Sequence, residues 1–465
     1  MIYKIIGWSR DAVGNVVKYH LKDICNTLTS FSGGGKFKDS KTDLGNTTPY
    51  ILIEYGLENM IAKIYPLGHP DLQGKHDPSH PVRYFDIRKL TEFECLRLMD
   101  VPEPDIIKLC NATKGSAGRI DANEPAYGEA GHGKGSPVLS RSAIYKLAGN
   151  SIVVSCLLHI FKNIWLTEDD PDDAYELFPE PTFRVPLPST IRLVTLCSGY
   201  DSQAIAMQQL VDAATRGGQN VTYDLVAWAE YDPEKPKIPL ERQPAVVAHN
   251  ILFPQYADRN LGDMTKIDWP SVYAQWKQQG ITDIDLLTYS TPCQSISQAG
   301  KRAGIKKGSG TRSSVLWYTE EAIRTLRPKF LLQENVRALV NEVNIDDFRQ
   351  WQQVCSDCGY DNYWAILNAK DYGVPQNRER VFMLSVRRDL DLPRYRFPKS
   401  FKLLKCIADI LDEDVPQSYF LKPDSVIKFL QNNEADQDAA ICYAYTDHKL
   451  SDDEIIRIRK ENGVG

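Results

Sequence analysis

Ser290–Ser295, with the sequence STPCQS, is the stretch from which the rest of the chain is interpreted. It directly follows Ile284–Leu287, an apolar run typical of a buried strand. It precedes Gln298–Arg312, a glycine-rich loop with basic residues and no acidic ones. A strand-end cysteine held by a preceding proline and facing a basic loop is well placed to act as a nucleophile. Most free cysteines are buried and inert, so Cys293 is either a nucleophile or a structural thiol on this evidence.

The composition is that of an ordinary globular protein and excludes several other classes. The 465 residues are 42% hydrophobic and 25% charged, which is enough for two or three domains with sizeable cores. No apolar run approaches the roughly 18 residues needed to span a bilayer, and Met1–Trp8 lacks the features of a signal peptide. The net charge of −6 excludes a protein that coats nucleic acid by bulk attraction, although it is compatible with a local basic groove.

The ten cysteines are scattered without the spacing of a disulfide framework. We therefore expect free thiols and a reducing compartment. Cys355 and Cys358 form the one close pair, and no second CxxC or HxxxH pair accompanies them. We predict a turn that packs both thiols and no metal site.

The N-terminal part of the chain predicts a β-rich unit followed by a helix. Residues 1–80 contain short strand candidates, such as Tyr50–Tyr55, that are separated by loops. Thr91 and Glu94 have the spacing of a capping box, in which a hydroxyl and a carboxylate satisfy free amides at a helix start. A helix is therefore predicted to begin beside them.

A second helix and a linker complete the first part of the chain. Ile152–Trp165 is apolar at helical spacing and predicts a buried helix. On local evidence, Asn150 and Ser151 are simply caps of this helix. Thr167–Ser189 is acidic at its start and then rich in proline, which blocks helices and central strands. A domain boundary is predicted there.

From Ile191 onward, short buried strands alternate with helices. The candidate strands are Ile191–Cys197, Tyr223–Ala229, Ile284–Leu287 and Phe330–Leu332, and the candidate helices include Ala204–Ala214 and Val315–Leu326. Such alternation predicts an α/β fold with a mostly parallel sheet and helices on both faces. Ligands of such sheets bind beyond the carboxyl ends of the strands, which is where the polar stretches of this chain lie.

Three of these strand ends together describe an adenosine pocket. Gly199 allows the backbone to approach a ligand closely at a helix start. Glu230 is placed to accept hydrogen bonds from two ribose hydroxyls, and Asp263 from an adenine amino group. The simpler interpretation of each acid is a solvated loop carboxylate.

Five motifs, in a fixed order, give the chain a family resemblance. They are Pro292-Cys293-Gln294, Thr311-Arg312-Ser313-Ser314, Glu334-Asn335-Val336, Tyr372-Gly373-Val374-Pro375 and Gln376-x-Arg378-x-Arg380. The chain resembles the 5-methylcytosine DNA methyltransferases. This resemblance implies a Rossmann-like, S-adenosylmethionine-dependent catalytic domain and a smaller, irregular, β-rich target-recognition region. It also implies methyl transfer to C5 of a flipped-out cytosine in duplex DNA.

The resemblance extends to two N-terminal stretches that stand out of the family order. Arg88-x-Leu90-Thr91-x-x-Glu94 and Gly149-Asn150-Ser151 resemble the last two motifs of the family, which ordinarily follow the arginine motif. The order is that of a circular permutation, which is tolerated where termini lie at the surface. The implied segments are 1–80 and 391–465 as the recognition region with an acidic tail, 81–166 as the displaced motifs, 167–189 as the linker and 190–390 as the cofactor-binding catalytic domain.

The resemblance implies roles for individual residues. The implied catalytic residues are Cys293 as nucleophile, Glu334 as proton donor, Arg380 as the group that holds the cytosine O2, and Arg378 as its support or a phosphate contact. The implied cofactor-binding residues are Asn150, Ser151, Leu196, Ser198, Gly199, Tyr200, Glu230, Tyr231, Asp263, Met264, Pro292 and Val315. The implied DNA-binding residues are Gln294, Ser295, Lys301, Arg302, Lys306, Lys307, Arg312 and Gln376.

One departure from the family pattern concerns the cofactor loop. The family motif usually reads Phe-x-Gly-x-Gly-Gly, whereas this chain has Cys197–Ser202, with the sequence CSGYDS. The aromatic residue that lies against adenine in the family is replaced by Cys197. Altered cofactor binding is therefore left open.

The remaining expectations concern partners and competing functions. Double-stranded DNA is the expected partner of a monomer in the cytoplasm of a bacterium or of a phage-infected cell, associated with the nucleoid and without membrane contact. The sequence leaves open whether the chain has a cognate restriction endonuclease or is a solitary or phage-borne methylase. The alternatives are a tRNA-directed enzyme with the same chemistry and a catalytically inert DNA-binding homologue.

Overall fold

The structure is a computed structural model. The described residues are 2–10, 16–22, 25–26, 50–55, 84–112, 138–166, 183, 185–293, 296, 307–309 and 311–421. The predicted linker therefore lies mostly outside the described residues. So do the loop 115–137 and the chain after residue 421.

The N-terminal part forms a small antiparallel sheet. Its strands are β1 (Ile2–Arg10), β2 (Val16–Lys22), β4 (Tyr50–Tyr55) and β5 (Tyr84–Lys89), and the short β3 (Cys25–Asn26) lies apart from them. The order in the sheet is β2-β1-β4-β5. The predicted β-rich character of this region is confirmed at these strands.

Four helices follow this sheet. They are α1 (Glu92–Arg97), α2 (Glu103–Asn111), α3 (Arg141–Asn150) and α4 (Val154–Trp165). Helix α1 begins with the predicted capping box. Thr91 Oγ1 accepts from the Glu94 amide, and the Glu94 carboxylate accepts from the Thr91 amide. Glu94 also forms a fully buried ion pair with Arg88 at 2.7 Å.

The segment Arg141–Trp165, which contains α3 and α4, is long and apolar enough to cross a membrane. It is mostly buried inside the protein. Ser151–Val153 also breaks it into two helices. Its apolar character is explained by packing, because α4 lies directly against the helix that follows the first strand of the main sheet.

The main sheet has six strands. They are β6 (Thr190–Leu196), β7 (Thr222–Ala229), β8 (Leu286–Tyr289), β9 (Phe330–Val336), β10 (Tyr360–Asn368) and β12 (Glu379–Arg387), and the short β11 (Gln376–Asn377) pairs with β3. The order is β10-β12-β9-β8-β6-β7. Strands β6 to β9 are mutually parallel, whereas β12 is antiparallel to β9 and β10 is antiparallel to β12.

Helices cover both faces of this sheet, and each face has its own apolar core. The helices are α5 (Ser202–Arg216), α6 (Pro244–Leu252), α7 (Trp269–Gln278), α8 (Thr319–Leu326) and α9 (Ile345–Asp357). The fold is thus the predicted α/β, Rossmann-like arrangement with a mostly parallel, mixed sheet. The predicted helix Val315–Leu326 is α-helical only from Thr319, because Arg312–Tyr318 forms a 3-10 helix.

The chain after β12 packs against the N-terminal helices. Asp412 accepts from Thr91 Oγ1 at 2.9 Å and pairs with Arg97 at 2.5 Å. Tyr419 donates to Glu92 at 2.5 Å. The Leu421 amide donates to the Ile87 carbonyl at 2.8 Å. Parts of the chain that are more than three hundred residues apart in sequence therefore form one packed unit.

Candidate active site

The half-buried Cys293 lies just beyond the carboxyl end of β8. Its loop is held from the neighbouring strand, since Asn335 Nδ2 donates to the Thr291 carbonyl at 3.1 Å. Burial raises the pKa of the Cys293 thiol. The positive charges of Arg380 and Arg378 act against this rise, and the negative charge of Glu334 adds to it.

Glu334 and Arg380 lie on adjacent strands at the same end of the sheet as Cys293. Arg380 is opposite Val336 in the β9–β12 register. Its Nε lies 3.2 Å from Glu334 Oε1, and Ser290 Oγ donates to Glu334 Oε2 at 2.6 Å. Glu334 is only 6% exposed. A thiol, a buried carboxyl group and a guanidinium therefore face one small volume, and Ser290 connects the cysteine loop to the acid.

Arg378 is buried and holds the main chain in place. Its Nη2 donates to the carbonyls of Gly149 at 3.0 Å and Ser151 at 2.5 Å, between α3 and α4. Burial lowers the pKa of Arg378 to about 9. These two hydrogen bonds match one of the two predicted roles of Arg378, the support of neighbouring structure, and that role stays a prediction.

The prediction of a DNA contact for Gln376 is corrected by the structure. The Gln376 side chain is fully buried, and its Nε2 donates to the carbonyl of Leu98 at 2.6 Å. A buried side-chain amide that donates to the main chain at the C-terminal end of α1 stabilises the packing of the interior. Its proximity in sequence to two arginines gave no information about this packing.

The cofactor loop after β6 is a tight turn with three left-handed residues. The φ angles are +52° at Cys197, +61° at Gly199 and +70° at Asp201. Gly199 has open space where a Cβ would be. Its amide donates to Glu230 Oε2 at 2.8 Å across the ends of β6 and β7. The predicted pair of Gly199 and Glu230 is thus brought together.

Asp201 gives this loop a buried anchor that the sequence did not suggest. Its carboxylate caps α5 by accepting from the Ala204 amide at 2.9 Å, and it accepts from Thr195 Oγ1 at 2.7 Å. His249 Nε2 lies 3.5 Å from the same carboxylate, and both side chains are fully buried. The His249 ring stacks on Trp228 at 3.5 Å between centroids.

Asp263 and its neighbours form the far side of the same region. Asp263 Oδ1 accepts from the amide of Thr265 at 3.1 Å and from its hydroxyl at 2.8 Å. Lys266 Nζ lies 3.4 Å from Asp263 Oδ2 and 5.9 Å from the ring centre of Tyr231. The carboxylate predicted to bind adenine therefore already has local partners in this structure.

The other predicted cofactor residues divide into lining and interior positions. Met264 is buried with its sulfur 3.4 Å from Cys197 Sγ. Tyr200 points into the interior, where burial raises its pKa to about 12, so it does not replace the missing aromatic at an open surface. Leu196 is fully buried, Pro292 and Val315 are half-buried, and Asn150 is exposed at the end of α3. Ser151 Oγ lies 2.6 Å from Ser202 Oγ, which joins α3's exit to the start of α5.

Most of the predicted DNA-contacting residues lie outside the described part of the chain. These are Gln294, Ser295, Lys301, Arg302 and Lys306, and only the backbone of Arg312 is described. Lys307 is described and exposed. Its Nζ lies 3.1 Å from Glu320 Oε2 and 5.5 Å from the ring centre of Trp317.

Comparison with known protein families matches residues 196–462, more than half of the chain, to the family described as C-5 cytosine-specific DNA methylase. The chain belongs to this family. The matched residues begin at Leu196, the last residue of β6, and include the loop that follows it and the cluster of Cys293, Glu334 and Arg380. The resemblance found in the motifs is therefore confirmed.

Curated relatives of this chain include methyltransferases of bacteria. It is 39% identical over 169 residues to Type II methyltransferase M2.ScrFI of Lactococcus lactis subsp. cremoris, which covers 36% of this chain and 44% of that protein. It is 38% identical over 181 residues to Orphan methyltransferase M.SssI of Spiroplasma monobiae, and the alignment covers 36% of this chain and 46% of that protein. The chain spans about half the length of the curated relatives it matches.

Solved structures also align with this chain. The methyltransferase EhMeth of Entamoeba histolytica aligns with a TM-score of 0.37 and 16% identity, over 52% of this chain and 66% of that one. A putative DNA modification methyltransferase encoded within an E. coli prophage aligns with a TM-score of 0.31 and 22% identity, over 45% and 52%.

Several residues of the site were missed by the sequence reasoning. Ser290, Asn335 and Ser202 lie within the motifs but received no role, and Asp201 and His249 were not connected at all. Ser290 offered a weak signal, because it stands at a strand end beside the cysteine. His249 offered none, since it is 48 residues from Asp201 and lies on the apolar helix α6.

Proposed function

We propose that this chain transfers a methyl group from S-adenosylmethionine to C5 of a flipped-out cytosine in a specific sequence of duplex DNA. The observation that carries the proposal is the convergence of Cys293, Glu334 and Arg380 at one end of the sheet. Cytosine C5 is a weak nucleophile, and these three groups are the ones needed to activate it. The family membership supports the same reaction.

The residues beside the cofactor loop fit S-adenosylmethionine. Gly199 leaves room for a ligand, and Glu230 is a carboxylate able to accept from ribose hydroxyls. Ser198 Oγ is buried and has no hydrogen-bond partner among the described residues, as expected of a group that a ligand satisfies. When bound there, S-adenosylmethionine supplies an electrophilic methyl group.

The chain's own residues activate the cytosine. The Cys293 thiolate forms a bond to C6, and the electron pair of the C5–C6 double bond moves toward N3. Glu334 donates a proton to N3, and Arg380 donates hydrogen bonds to O2, so that the developing negative charge is neutralised. C5 is then nucleophilic enough to take the methyl group. Methyl transfer leaves S-adenosylhomocysteine as the leaving group. Loss of the C5 proton to a base, breakage of the Cys293–C6 bond and return of the N3 proton to Glu334 then release the product.

The duplex must open before this reaction, because C6 is inaccessible inside the stack. In this proposal, the ion pair between Glu334 and Arg380 is exchanged for contacts to the flipped base. Ser290 keeps Glu334 in position while this exchange occurs, since it donates to the other carboxylate oxygen. The basic loop Gln298–Arg312 is proposed to contact the phosphates.

We further propose the circular permutation and the division of the chain. Arg378 binds the carbonyls between α3 and α4, and Asp412 binds the Arg88–Glu94 unit. These contacts support the idea that residues 81–166 complete the catalytic domain formed by 190–390. Residues 1–80 and 391–465 would then contribute the recognition region. We propose that the protein acts as a cytoplasmic monomer, with or without a cognate endonuclease.

Methyl transfer from labelled S-adenosylmethionine to duplex DNA and to tRNA, assayed in parallel, tests the proposal. We expect transfer to duplex DNA that Cys293→Ala abolishes and that Cys406→Ala, at an exposed cysteine, leaves intact. Transfer to tRNA alone would instead identify an RNA-directed enzyme. Full activity of Cys293→Ala would refute the nucleophile assignment.

A further inference from the structure

A basic segment after β12 lies in the proposed recognition region, but none of its residues has a role in the reaction described above. We call Leu392–Ala408 the basic strap; it contains five lysines and arginines and no acidic residue, in a chain with a net charge of −6. The five are Arg394, Arg396, Lys399, Lys402 and Lys405. Such a local reversal of charge is a common property of surfaces that bind phosphates.

The basic strap crosses one face of the main sheet and reaches the end of the sheet at which Cys293, Glu334 and Arg380 lie. It starts near Arg387, whose amide binds the carbonyl of Lys329 just before β9 begins. Tyr395 is buried midway, with its ring 6.3 Å from that of Tyr363 on β10. The Phe401 amide then donates to the carbonyl of Asp371 at 3.0 Å.

Asp371 lies at the same end of the sheet as the catalytic residues. It follows β10 by three residues, and Asn368 at the end of β10 is opposite Glu379. The next residue of β12 is Arg380. The sheet order is β10-β12-β9-β8. At this end of the sheet, the strap therefore lies beside β10, and Cys293 lies three strands away, after β8.

The strap is anchored at this edge and presents its charges outward. Tyr372 donates to the Pro398 carbonyl at 2.8 Å, and the Phe401 ring lies 3.5 Å from a Cβ built on Gly373. The exposed cations in this part are Lys399, Lys402 and Lys405. Among them stands Leu404, which is 87% exposed. Apolar side chains at DNA interfaces contact sugars or wedge between base steps.

We propose that Lys399, Lys402 and Lys405 form a second contact to the DNA backbone, on the β10 side of the target base. This inference rests on the proposed function and adds a surface to it. Duplex DNA placed over Cys293, Glu334 and Arg380 would extend past the end of β10. Three cations on an anchored segment would bind its phosphates and fix the register of the duplex.

The local acids do not cancel this surface. Asp100 and Asp409 both interact with Lys405. Burial raises the pKa of Asp100 to about 6, and Lys405 acts against that rise. The strap itself contains five cations and no acidic residue. The segment therefore keeps a net positive charge at neutral pH.

The salt dependence of DNA binding by the full chain tests this inference. The probe is a labelled mixed-sequence duplex, and the variant is Lys399→Gln with Lys402→Gln and Lys405→Gln. Each lost phosphate contact reduces the magnitude of the slope of log K against log salt by about one. The slope of the triple variant should therefore be smaller in magnitude by about three, and the variant should bind DNA roughly 100-fold more weakly at low salt. The maximal rate of methyl transfer at saturating DNA should stay within about twofold.

A matched triple variant provides the control. Arg216→Gln, Lys277→Gln and Arg349→Gln remove three exposed cations from α5, α7 and α9 and should leave the slope unchanged. An equal loss of slope in both triple variants would show a net-charge effect and overturn the inference. An unchanged slope in the strap variant would also overturn the inference. So would a strap variant that loses binding to anionic vesicles but keeps its binding to DNA. A wild-type chain without DNA binding would instead overturn the proposed function itself.

Discussion

At the residue scale, residues of a single motif have different surroundings. Cys293, Glu334 and Arg380 stand in short motifs, and the residue types in these motifs predict their roles. Gln376 stands in the same kind of motif, yet it is buried against Leu98, which is 278 residues away. Burial depends on such distant packing, so a local pattern does not separate a buried glutamine from one that contacts DNA.

The charges around Cys293 lead to a prediction about its titration. Glu334 raises the pKa of the thiol, while Arg380 lowers it. Glu334→Gln should therefore move the thiolate titration to lower pH, and Arg380→Ala should move it to higher pH. The pH profile of iodoacetamide alkylation, followed by mass spectrometry of the Cys293 peptide, measures both shifts. A shift to higher pH in Glu334→Gln would contradict the electrostatic assignment.

At the element scale, the cofactor loop explains how an altered motif keeps its shape. Asp201 takes a left-handed conformation that is reserved mainly for glycine, which costs an ordinary residue about 1–2 kcal/mol. Hydrogen bonds from Ala204 and Thr195 offset this cost, and His249 Nε2 lies 3.5 Å from the same carboxylate. The alternation of strands and helices could be predicted because it is a local pattern. The Asp201–His249 contact could not, because it joins separate elements through the core.

The contact between Asp201 and His249 gives a prediction for cofactor affinity. His249→Phe keeps the stacking on Trp228 but removes the partner of Asp201, so we expect calorimetric affinity for S-adenosylmethionine to fall about tenfold, a loss of about 1.4 kcal/mol. In an Asp201→Gly background, the same change should cost almost nothing. Equal losses in both backgrounds would mean that the two residues are not coupled.

At the scale of the whole molecule, two segments that are distant in sequence, 87–94 and 412–421, complete one packed unit. The Arg88–Glu94 pair is fully buried, and Glu94 Oε1 accepts from the Asp412 amide at 2.8 Å. Leu421 lies beside Ile87 through a main-chain hydrogen bond. The motif order suggested such a neighbourhood, but only packing shows which side chains form it.

This arrangement predicts that the family order of motifs is also compatible with folding. A chain that begins at Val185, joins the present termini through a long Gly/Ser linker and ends at Leu166 keeps every contact named above. We expect it to fold with a thermal midpoint near that of the natural chain and to methylate DNA. An insoluble or inactive product, obtained alongside an active natural-order control, would speak against the permutation.

The central claim is that Cys293 attacks cytosine, and the most direct measurement traps that bond. The methylated site is first located by bisulfite sequencing of DNA from cells that express the chain. A duplex with 5-fluorocytosine at that site is then incubated with protein and S-adenosylmethionine. Because the fluorinated C5 has no proton to lose, we predict a denaturant-resistant complex attached at Cys293 and absent in Cys293→Ala. Active enzyme that forms no complex, or one attached elsewhere, would contradict the claim.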